Sequence, residues 1–267
     1  MFQTRPWCRR WKRFAPCPQG KVPDAEKITG ASPAGAKDER AAAAAIREMF
    51  STIAPRYDLL NHVLSFNVDR LWWRRAARSF DHILSRPGAT ALDLCCGTAD
   101  MALALRRRGS GASIVGVDFS HRMLQLASRK AGDRVGLVEA DGLALPYATA
   151  TFDLVVSAFG FRNLANYDAG LREIYRVLRD GGEVGILDFG EPDGVIGSIY
   201  RVYFKIVLPA VGSLISGVKG PYAYLPASVE RFPPPQHMLE HMRSVGFHRV
   251  SWTPYTFGIA GLYRGIK

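Results

Sequence analysis

The feature that most constrains this chain is a regular alternation of short apolar segments with amphipathic helical segments through its middle. Short runs rich in β-branched and other apolar residues are typical of buried strands, whereas apolar residues spaced three and four apart are typical of helices. Strands that alternate with helices form a parallel sheet covered by helices on both faces. The predicted strands cover residues 90–95, 113–117, 135–139, 152–159 and 183–188, and the predicted helices cover residues 101–108, 123–130 and 168–178.

The end of the chain adds a further helix and a hairpin. Residues 235–245 follow three prolines and predict a helix, while residues 250–257 and 259–266 predict two strands with Gly258 at the turn. Five parallel strands and a final hairpin together give a Rossmann-like sheet of seven strands.

Three segments are expected along the 267 residues. Residues 1–40 are rich in Pro, Gly, Ala and charge without periodicity, and they predict a disordered basic tail. Residues 41–86 predict an N-terminal helical lid, with helices over 41–51 and 68–84. Residues 87–267 predict the α/β domain.

The charge of the chain is strongly positive, with a formal net value of +11. A solvated basic surface and an attraction to anionic lipid both fit this value. The tail mixes cations with Trp7 and Trp11, which favours a membrane surface, and we expect no nucleic-acid partner because much of the excess charge lies in the tail. Four cysteines without a CxxC pair predict neither a zinc site nor disulfides, and the expected location is cytoplasmic, peripheral on the inner face of the cell membrane.

A loop of small residues follows the first predicted strand and opens a helix. Asp93 precedes this loop, and Gly97 and Thr98 lie within it. In an open α/β sheet, ligands bind beyond the carboxyl ends of the strands, and a helix N-terminus there can receive an anion. The loop lacks G-x-G-x-x-G, and the Asp93 carboxylate would repel a pyrophosphate but suits the ammonium group of methionine.

Two further carboxylates end neighbouring strands. Asp118 follows the second strand, where it can accept both ribose hydroxyls of an adenosine, and Asp141-Gly142 follows the third, where an adenine edge would lie. These positions favour S-adenosyl-L-methionine over a nicotinamide dinucleotide. The predicted fold class is therefore α/β, a Rossmann-like seven-stranded class I methyltransferase sheet with an N-terminal helical lid, and a dehydrogenase is the alternative.

Several motifs resemble the ubiquinone/menaquinone C-methyltransferases, from about Phe50 to Lys267. The family's opening Tyr-Asp-x-Met-Asn-x-x-Leu-Ser is similar to residues 57–65, YDLLNHVLS, in which Leu60 replaces Met, and Asp69 stands where His is usual. The family's Phe-Gly-x-Arg-Asn is similar to residues 159–163. The cofactor loop also matches, with Ala99 in place of the second glycine.

This resemblance implies an S-adenosylmethionine-dependent enzyme that methylates a ring carbon of a polyprenyl hydroquinone. It implies cofactor binding at Thr98, Asp118 and Asp141-Gly142. We favour demethylmenaquinol as the substrate; a 2-polyprenyl-6-methoxy-benzoquinol and another small molecule stay open.

Carbon is a poor nucleophile unless a ring hydroxyl loses its proton, and a phenol ionises only near pH ~10. The hypothesis is that Arg162 stabilises the phenolate and that Asn163 orients the hydroxyl. Tyr57 and Asp58 of the lid are expected to close over the substrate and to assist proton transfer.

Two other signals have competing interpretations. The aromatic segment 195–218 is expected either to line the entrance for the isoprenoid tail at the bilayer or to cover the core. Residues 237–241, HMLEH, match an inverted zinc motif, but no third ligand is evident, so no metal site is expected.

Overall fold

A seven-stranded sheet organises the chain, whose computed structural model describes residues 29–33, 35–192, 194–203 and 220–267. The strand order is β3-β2-β1-β4-β5-β7-β6, with β7 antiparallel to both of its neighbours. The predicted sheet of seven strands with a final hairpin is thus confirmed. The strands are β1 (Thr90–Leu94), β2 (Ser113–Asp118), β3 (Gly136–Glu139), β4 (Phe152–Ala158), β5 (Leu178–Phe189), β6 (His248–Tyr255) and β7 (Ala260–Ile266).

The strand order reverses between β1 and β4. After β1 the chain adds β2 and β3 on one side, and then it crosses to add β4 and β5 on the other. Leu92 at the centre of β1 is paired with Val115 on one neighbour and Val155 on the other. This reversal leaves a crevice at the carboxyl ends of β1 and β4, which is where such sheets bind ligands.

Helices cover both faces of the sheet, and several begin at a side-chain cap. Asp38 accepts from the Ala41 amide at 2.8 Å, and Asn166 accepts from the Ala169 amide at 2.8 Å. The helices are α1 (Glu39–Ile53), α2 (Tyr57–Leu64), α3 (Val68–Arg78), α4 (Asp81–Leu84), α5 (Asp100–Arg108), α6 (His121–Ala131), α7 (Tyr167–Val177), α8 (Gly194–Val202), α9 (Gly220–Arg231) and α10 (Pro235–Val245). In the described part of the chain, no helix is long and apolar enough to cross a membrane.

Neighbouring residues of the central strands enter different apolar clusters. Leu154 and Val156 of β4 pack with α3, α4 and α5, whereas Val155 between them packs with α7 and α10. This alternation is the period-two pattern of a strand that is buried on both faces. The sheet is therefore a rigid base for the crevice at its carboxyl edge.

The structure differs from the prediction in several local details. The predicted helix over 68–84 is two helices, because the chain breaks at Ser79 and Phe80, where Phe80 leaves the helical region with φ of −114°. Helices α2, α8 and α9 were not predicted, and β5 begins at Leu178 and not at residue 183.

Residues 1–28, most of the predicted tail, lie outside the described residues. Ala31, within the predicted tail, is buried and donates its amide hydrogen to the Leu164 carbonyl at 2.8 Å. The division into tail, lid and domain stays a prediction.

Candidate active site

A cavity of about 530 Å³ lies at the carboxyl edge of the sheet, beneath the N-terminal helices. A smaller cavity of about 60 Å³ adjoins it on the side of β2 and β3. Phe50, Tyr57, Gly97 and Phe159 line both cavities. The arrangement therefore offers two connected compartments whose common wall includes the loop after β1.

The loop after β1 turns through backbone conformations that favour glycine. Cys95, Gly97 and Ala99 have φ of +57°, +53° and +70°. The Gly97 amide donates to Oδ2 of Asp118 at 2.9 Å, which ties the loop to the end of β2. A side-chain methyl at Gly97 would lie 3.8 Å from the Tyr57 ring, so this glycine keeps a narrow space open between loop and lid.

Asp93 is a buried carboxyl with one unused oxygen. Its Oδ2 accepts from the Ala102 amide at 2.8 Å, while Oδ1 has no hydrogen-bond partner among the described residues. Burial, with a contribution from nearby Asp118, raises the pKa of the Asp93 carboxyl well above its ordinary value. A buried, unpaired acidic oxygen is the environment that an ammonium group would complete, so this site fits the methionine part of the predicted cofactor.

The smaller cavity collects the other predicted adenosine contacts. Asp118, Asp141 and Gly142 all line it. Asp118 accepts from the amides of Gly97 and Ser120, both at 2.9 Å. Burial raises the pKa of Asp118 to about 6, although these hydrogen bonds work in the opposite direction. A side-chain methyl at Gly142 would lie 3.0 Å from the Leu164 side chain, which would have to move by a few tenths of an ångström to make room.

Thr98 lies away from this group and faces the lid instead. Its hydroxyl donates to Asp58 on α2 at 2.5 Å. Lys130 on α6 donates to Asp58 at 2.8 Å and to Asp100 on α5 at 2.7 Å. Asp58 is therefore part of an ion-pair network that fastens the lid, and the sequence did not single out Lys130 or Asp100.

Tyr57, the first residue of α2, lines both compartments. Burial raises the pKa of its hydroxyl to about 12, and a hydrogen bond with Asn61 only partly opposes this shift. The phenol thus stays protonated near neutral pH and can donate a hydrogen bond.

Arg162 is a buried cation that faces the larger cavity. It lies in a single helical turn after β4, and its guanidinium donates to Oδ1 of Asp188 at 2.8 Å and lies 5.1 Å from the centre of the Phe189 ring. Burial works to lower the pKa of the guanidinium, but Asp188 more than offsets it, so the pKa lies above its ordinary value. Asp188 is therefore the partner that keeps this cation buried.

Asn163, the neighbour of Arg162, lines the smaller cavity instead. Its side-chain oxygen accepts from the Tyr224 hydroxyl at 3.2 Å. Tyr224 lies on α9 and also lines the larger cavity. The structure thus places the two predicted catalytic residues at adjacent compartments, with Tyr224 connecting them.

Ten aromatic side chains line the larger cavity. Trp72 packs against Phe159, with ring centres 5.7 Å apart, and its indole donates to the Thr256 hydroxyl at 2.8 Å. The sequence gave no sign of the place of Trp72 at the cavity, because Thr256 lies in the distant hairpin. The other aromatic residues of the wall are Phe50, Tyr57, Phe66, Trp73, Phe159, Phe189, Tyr200, Tyr203 and Tyr224.

The zinc-like motif lies elsewhere. His241 on α10 pairs with Asp168 on α7 at 2.6 Å. Within the described ranges, no group of three or more His, Cys, Asp or Glu side chains could hold a metal ion.

A sheet of this order, with cavities at its carboxyl edge and a β2 that ends in a carboxylate, defines the class I fold of S-adenosylmethionine-dependent methyltransferases. A solved S-adenosylmethionine-dependent methyltransferase from Thermotoga maritima, described as a possible histamine N-methyltransferase, has this fold. It is 19% identical, with a TM-score of 0.59 over 82% of this chain and 98% of that one. The predicted fold class is therefore confirmed.

The chain belongs to the ubiE/COQ5 methyltransferase family, whose model matches residues 35–267. It is 47% identical to the demethylmenaquinone methyltransferase of Deinococcus radiodurans over 239 residues, covering 88% of this chain and 97% of that protein. It is 50% identical to the demethylmenaquinone methyltransferase of Thermus thermophilus over 223 residues, covering 82% of this chain and all of that protein. The family resemblance, the methyltransferase class and the cofactor S-adenosyl-L-methionine are confirmed.

Proposed function

We propose that this chain methylates a ring carbon of demethylmenaquinol and so produces menaquinol. The observation that carries this proposal is the near full-length similarity to two demethylmenaquinone methyltransferases. A large aromatic cavity beside the cofactor compartment supports it, because a naphthoquinol ring is flat and apolar and needs such a wall.

The smaller compartment suits the adenosine of the cofactor. Asp118 would accept the ribose hydroxyls, Asp141 and Gly142 would face the adenine edge, and Asp93 would pair with the ammonium group. When bound, S-adenosylmethionine supplies a methyl group that is already electrophilic, so the chain's own residues need only align and activate the quinol.

Arg162 supports the activation of the quinol. A guanidinium that is held in place by Asp188 at 2.8 Å can stabilise negative charge on a ring oxygen without first reorganising. Asn163 lines the smaller compartment, so it would orient the ring through Tyr224, which donates to it and lines the larger compartment. Tyr57 would donate a hydrogen bond from above, and Asp58 would act through the closed lid.

A position against the membrane surface would deliver the isoprenoid substrate. Phe66 lines the larger cavity and is 75% exposed, and Phe257, next to the lining residue Thr256, is 76% exposed. Two exposed aromatic rings at a cavity rim favour contact with the bilayer interface. Within the proposed entrance 195–218, Tyr200 and Tyr203 line the cavity, whereas residues 204–219 lie outside the described residues.

Quinone analysis by mass spectrometry tests the substrate. A bacterial host that lacks its own quinone methyltransferase is supplied with this chain, and menaquinone is expected to replace demethylmenaquinone. Restoration of the benzoquinone product alone would replace our proposal with the ubiquinone reaction, and restoration of neither would favour another small-molecule substrate. Arg162→Ala is expected to slow single-turnover methylation by about 100-fold while cofactor affinity changes little.

A further inference from the structure

A histidine–aspartate pair lies at the wall of the larger cavity. Nδ1 of His62 is 2.7 Å from Oδ2 of Asp69. The Asp69 side chain is 6% exposed and lines the cavity, while the His62 side chain is 19% exposed and does not line it. The pair therefore connects the interior of the cavity to solvent.

The corner between α2 and α3 creates this pair. Phe66 and Asn67 have φ of +53° and +61°, and the Asn67 amide donates to the His62 carbonyl at 2.8 Å. The resulting sharp turn brings Asp69, in the first turn of α3, back against the ring of His62. The Arg70 amide donates to Oδ1 of Asp69 at 2.8 Å, which fixes the orientation of the carboxyl group beside the ring.

The other acidic side chains that line this cavity have different tasks. Asp100 is paired with Lys130 at 2.7 Å. Asp93 supports the start of α5, and its burial keeps it from acting as a ready carboxylate. Among the acidic side chains that the structure describes at this wall, Asp69 is therefore the one whose partner is partly exposed. That partner, His62, can pass a proton to solvent.

We propose that Asp69 accepts the proton of the quinol hydroxyl and that His62 passes it to solvent; this inference rests on the proposed function. His62 starts as the tautomer whose hydrogen is on Nε2. The quinol O–H bond breaks with its electron pair left on the ring oxygen, and the proton moves to the carboxylate and then to Nδ1, while Nε2 releases one to water; exchange with water restores the starting tautomer. The methyl group would move from the sulfonium to the ring carbon, with the electron pair of the S–C bond left on sulfur, and the ring C–H proton then returns to the ring oxygen. One proton is thus released per turnover, as replacement of a ring hydrogen by methyl requires.

Asp69→Asn tests the proton acceptor. With demethylmenaquinol carrying one isoprene unit, the single-turnover rate is expected to fall by about 100-fold, the range of general base catalysis. With a ring-halogenated analogue, whose hydroxyl ionises without help, the deficit relative to the unmodified protein is expected to shrink below about tenfold. Quinol binding, followed by tryptophan fluorescence, is expected to change less than threefold. An equal deficit with both quinols, or no deficit, overturns the assignment.

His62→Gln tests the exit step while it leaves the carboxylate in place. We expect a rate about tenfold lower, and no further loss when this change is combined with Asp69→Asn, because both residues handle one proton. Additive losses would mean that the two residues do not handle the same proton, and they would overturn the relay. If Asp69→Asn does not fold, the solvent deuterium isotope effect on the methylation rate of His62→Gln tests the relay. An isotope effect equal to that of the unmodified protein contradicts a role for His62 in proton transfer.

The chain provides a matched control. His241 and Asp168 form the same kind of pair at 2.6 Å and line neither cavity. Asp168→Asn is expected to leave both quinol rates unchanged. If the unmodified protein methylates no quinol, the proposed function fails; if it methylates and Asp69→Asn behaves like it, only this inference fails.

Discussion

Single carboxylates at this site hold the backbone and also line the cavities. Asp118 fixes the loop after β1 through the Gly97 amide and also lines the smaller compartment, where we propose that adenosine binds. Asp93 similarly caps the start of α5 with one oxygen and leaves the other unused. The fold therefore positions the acidic groups before any ligand arrives, which reduces the cost of ordering them on binding.

The raised pKa of Asp118 predicts pH-dependent cofactor binding. The group is protonated below about pH 6, and a protonated carboxyl accepts hydrogen bonds from a ribose less well than a carboxylate does. The affinity for S-adenosylmethionine is therefore expected to fall as the pH drops below 6, by up to about tenfold per pH unit, with proton release on binding. Calorimetry at pH 5, 6 and 7.5 measures this. Asp118→Asn should bind weakly at all three values, and a retained pH dependence would assign the effect to another group.

Residue positions were predictable from the sequence where a strand end determines them. Asp118, Asp141 and Gly142 follow β2 and β3, and parallel strands bring their carboxyl ends to one edge. The partner of Arg162 was not predictable, because Asp188 lies 26 residues away and meets it only through the register of β4 and β5. Thr98 likewise depends on Asp58, which arrives from a separate helix.

At the scale of elements, the N-terminal helices are fastened to the sheet domain from two sides. Asn166 donates to Glu39 at the start of α1 at 2.9 Å, and Lys130 holds Asp58 at the start of α2. Helix α2 was not predicted because it has only eight residues. So short a segment shows too little apolar periodicity to be distinguished from a loop. The Asn166–Glu39 hydrogen bond and the Lys130–Asp58 ion pair therefore position α1 and α2 against the sheet domain.

Lys130→Met is expected to loosen α2 without unfolding the protein. Partly exposed ion pairs contribute about 0–1 kcal/mol, so the unfolding free energy should change little. Hydrogen exchange of the α2 amides is expected to accelerate, and kcat/KM for the quinol to fall by about tenfold. The neighbouring substitution Arg129→Met serves as the control. Unchanged exchange in α2 would show that the network does not hold the lid.

A second ion-pair group joins β5, β7 and α4. Glu183 pairs with Arg264 at 2.8 Å and with His82 at 2.6 Å. Burial works to raise the pKa of Glu183, but the hydrogen bonds from Arg264 and His82 lower it below its ordinary value. A lowered folded-state pKa means stability that is present above the unfolded-state pKa and is lost as the pH falls through the folded-state pKa.

Glu183→Gln is therefore expected to reduce the free energy of unfolding by about 1–3 kcal/mol at pH 7. The difference from the unmodified protein should shrink as the pH falls below about 4. Urea titrations at the two pH values measure it. Glu139→Gln, which breaks an exposed pair with His121, is expected to cost less than about 0.5 kcal/mol. A loss at Glu183 that does not vary with pH would contradict the electrostatic explanation.

At the scale of the whole molecule, the alternation of strands and helices was enough to predict the sheet. Its seven strands lie within a few residues of the predicted bounds. A run of apolar and β-branched residues indicates a strand without reference to distant parts of the chain. Helix α9 was missed, since Pro226 in its middle is a poor helix former and only tertiary packing can compensate. The cavity wall formed by Trp72 and the final hairpin could not be predicted, because these distant segments meet only in the complete fold.

Binding to anionic vesicles is the prediction that depends on overall charge. A net charge of +11 and the exposed rings of Phe66 and Phe257 are expected to give co-sedimentation that weakens with salt. The double substitution Phe66→Asp with Phe257→Asp should lower the bound fraction at least about threefold. Thr149→Asp, an exposed change just before β4 at the opposite edge of the sheet, is the control. If both variants lose vesicle binding equally, charge alone explains the binding, and the exposed rings at the cavity rim do not contact the bilayer.

Phe50 and Tyr57 form part of both compartments, so one outward movement of these two side chains would uncover both. With the methyl donor in the smaller compartment and the acceptor in the larger, as we propose, we expect the spent nucleoside and the methylated ring to leave during the same opening. We then expect the rate of that opening to limit turnover, and added demethylated cofactor to inhibit the enzyme.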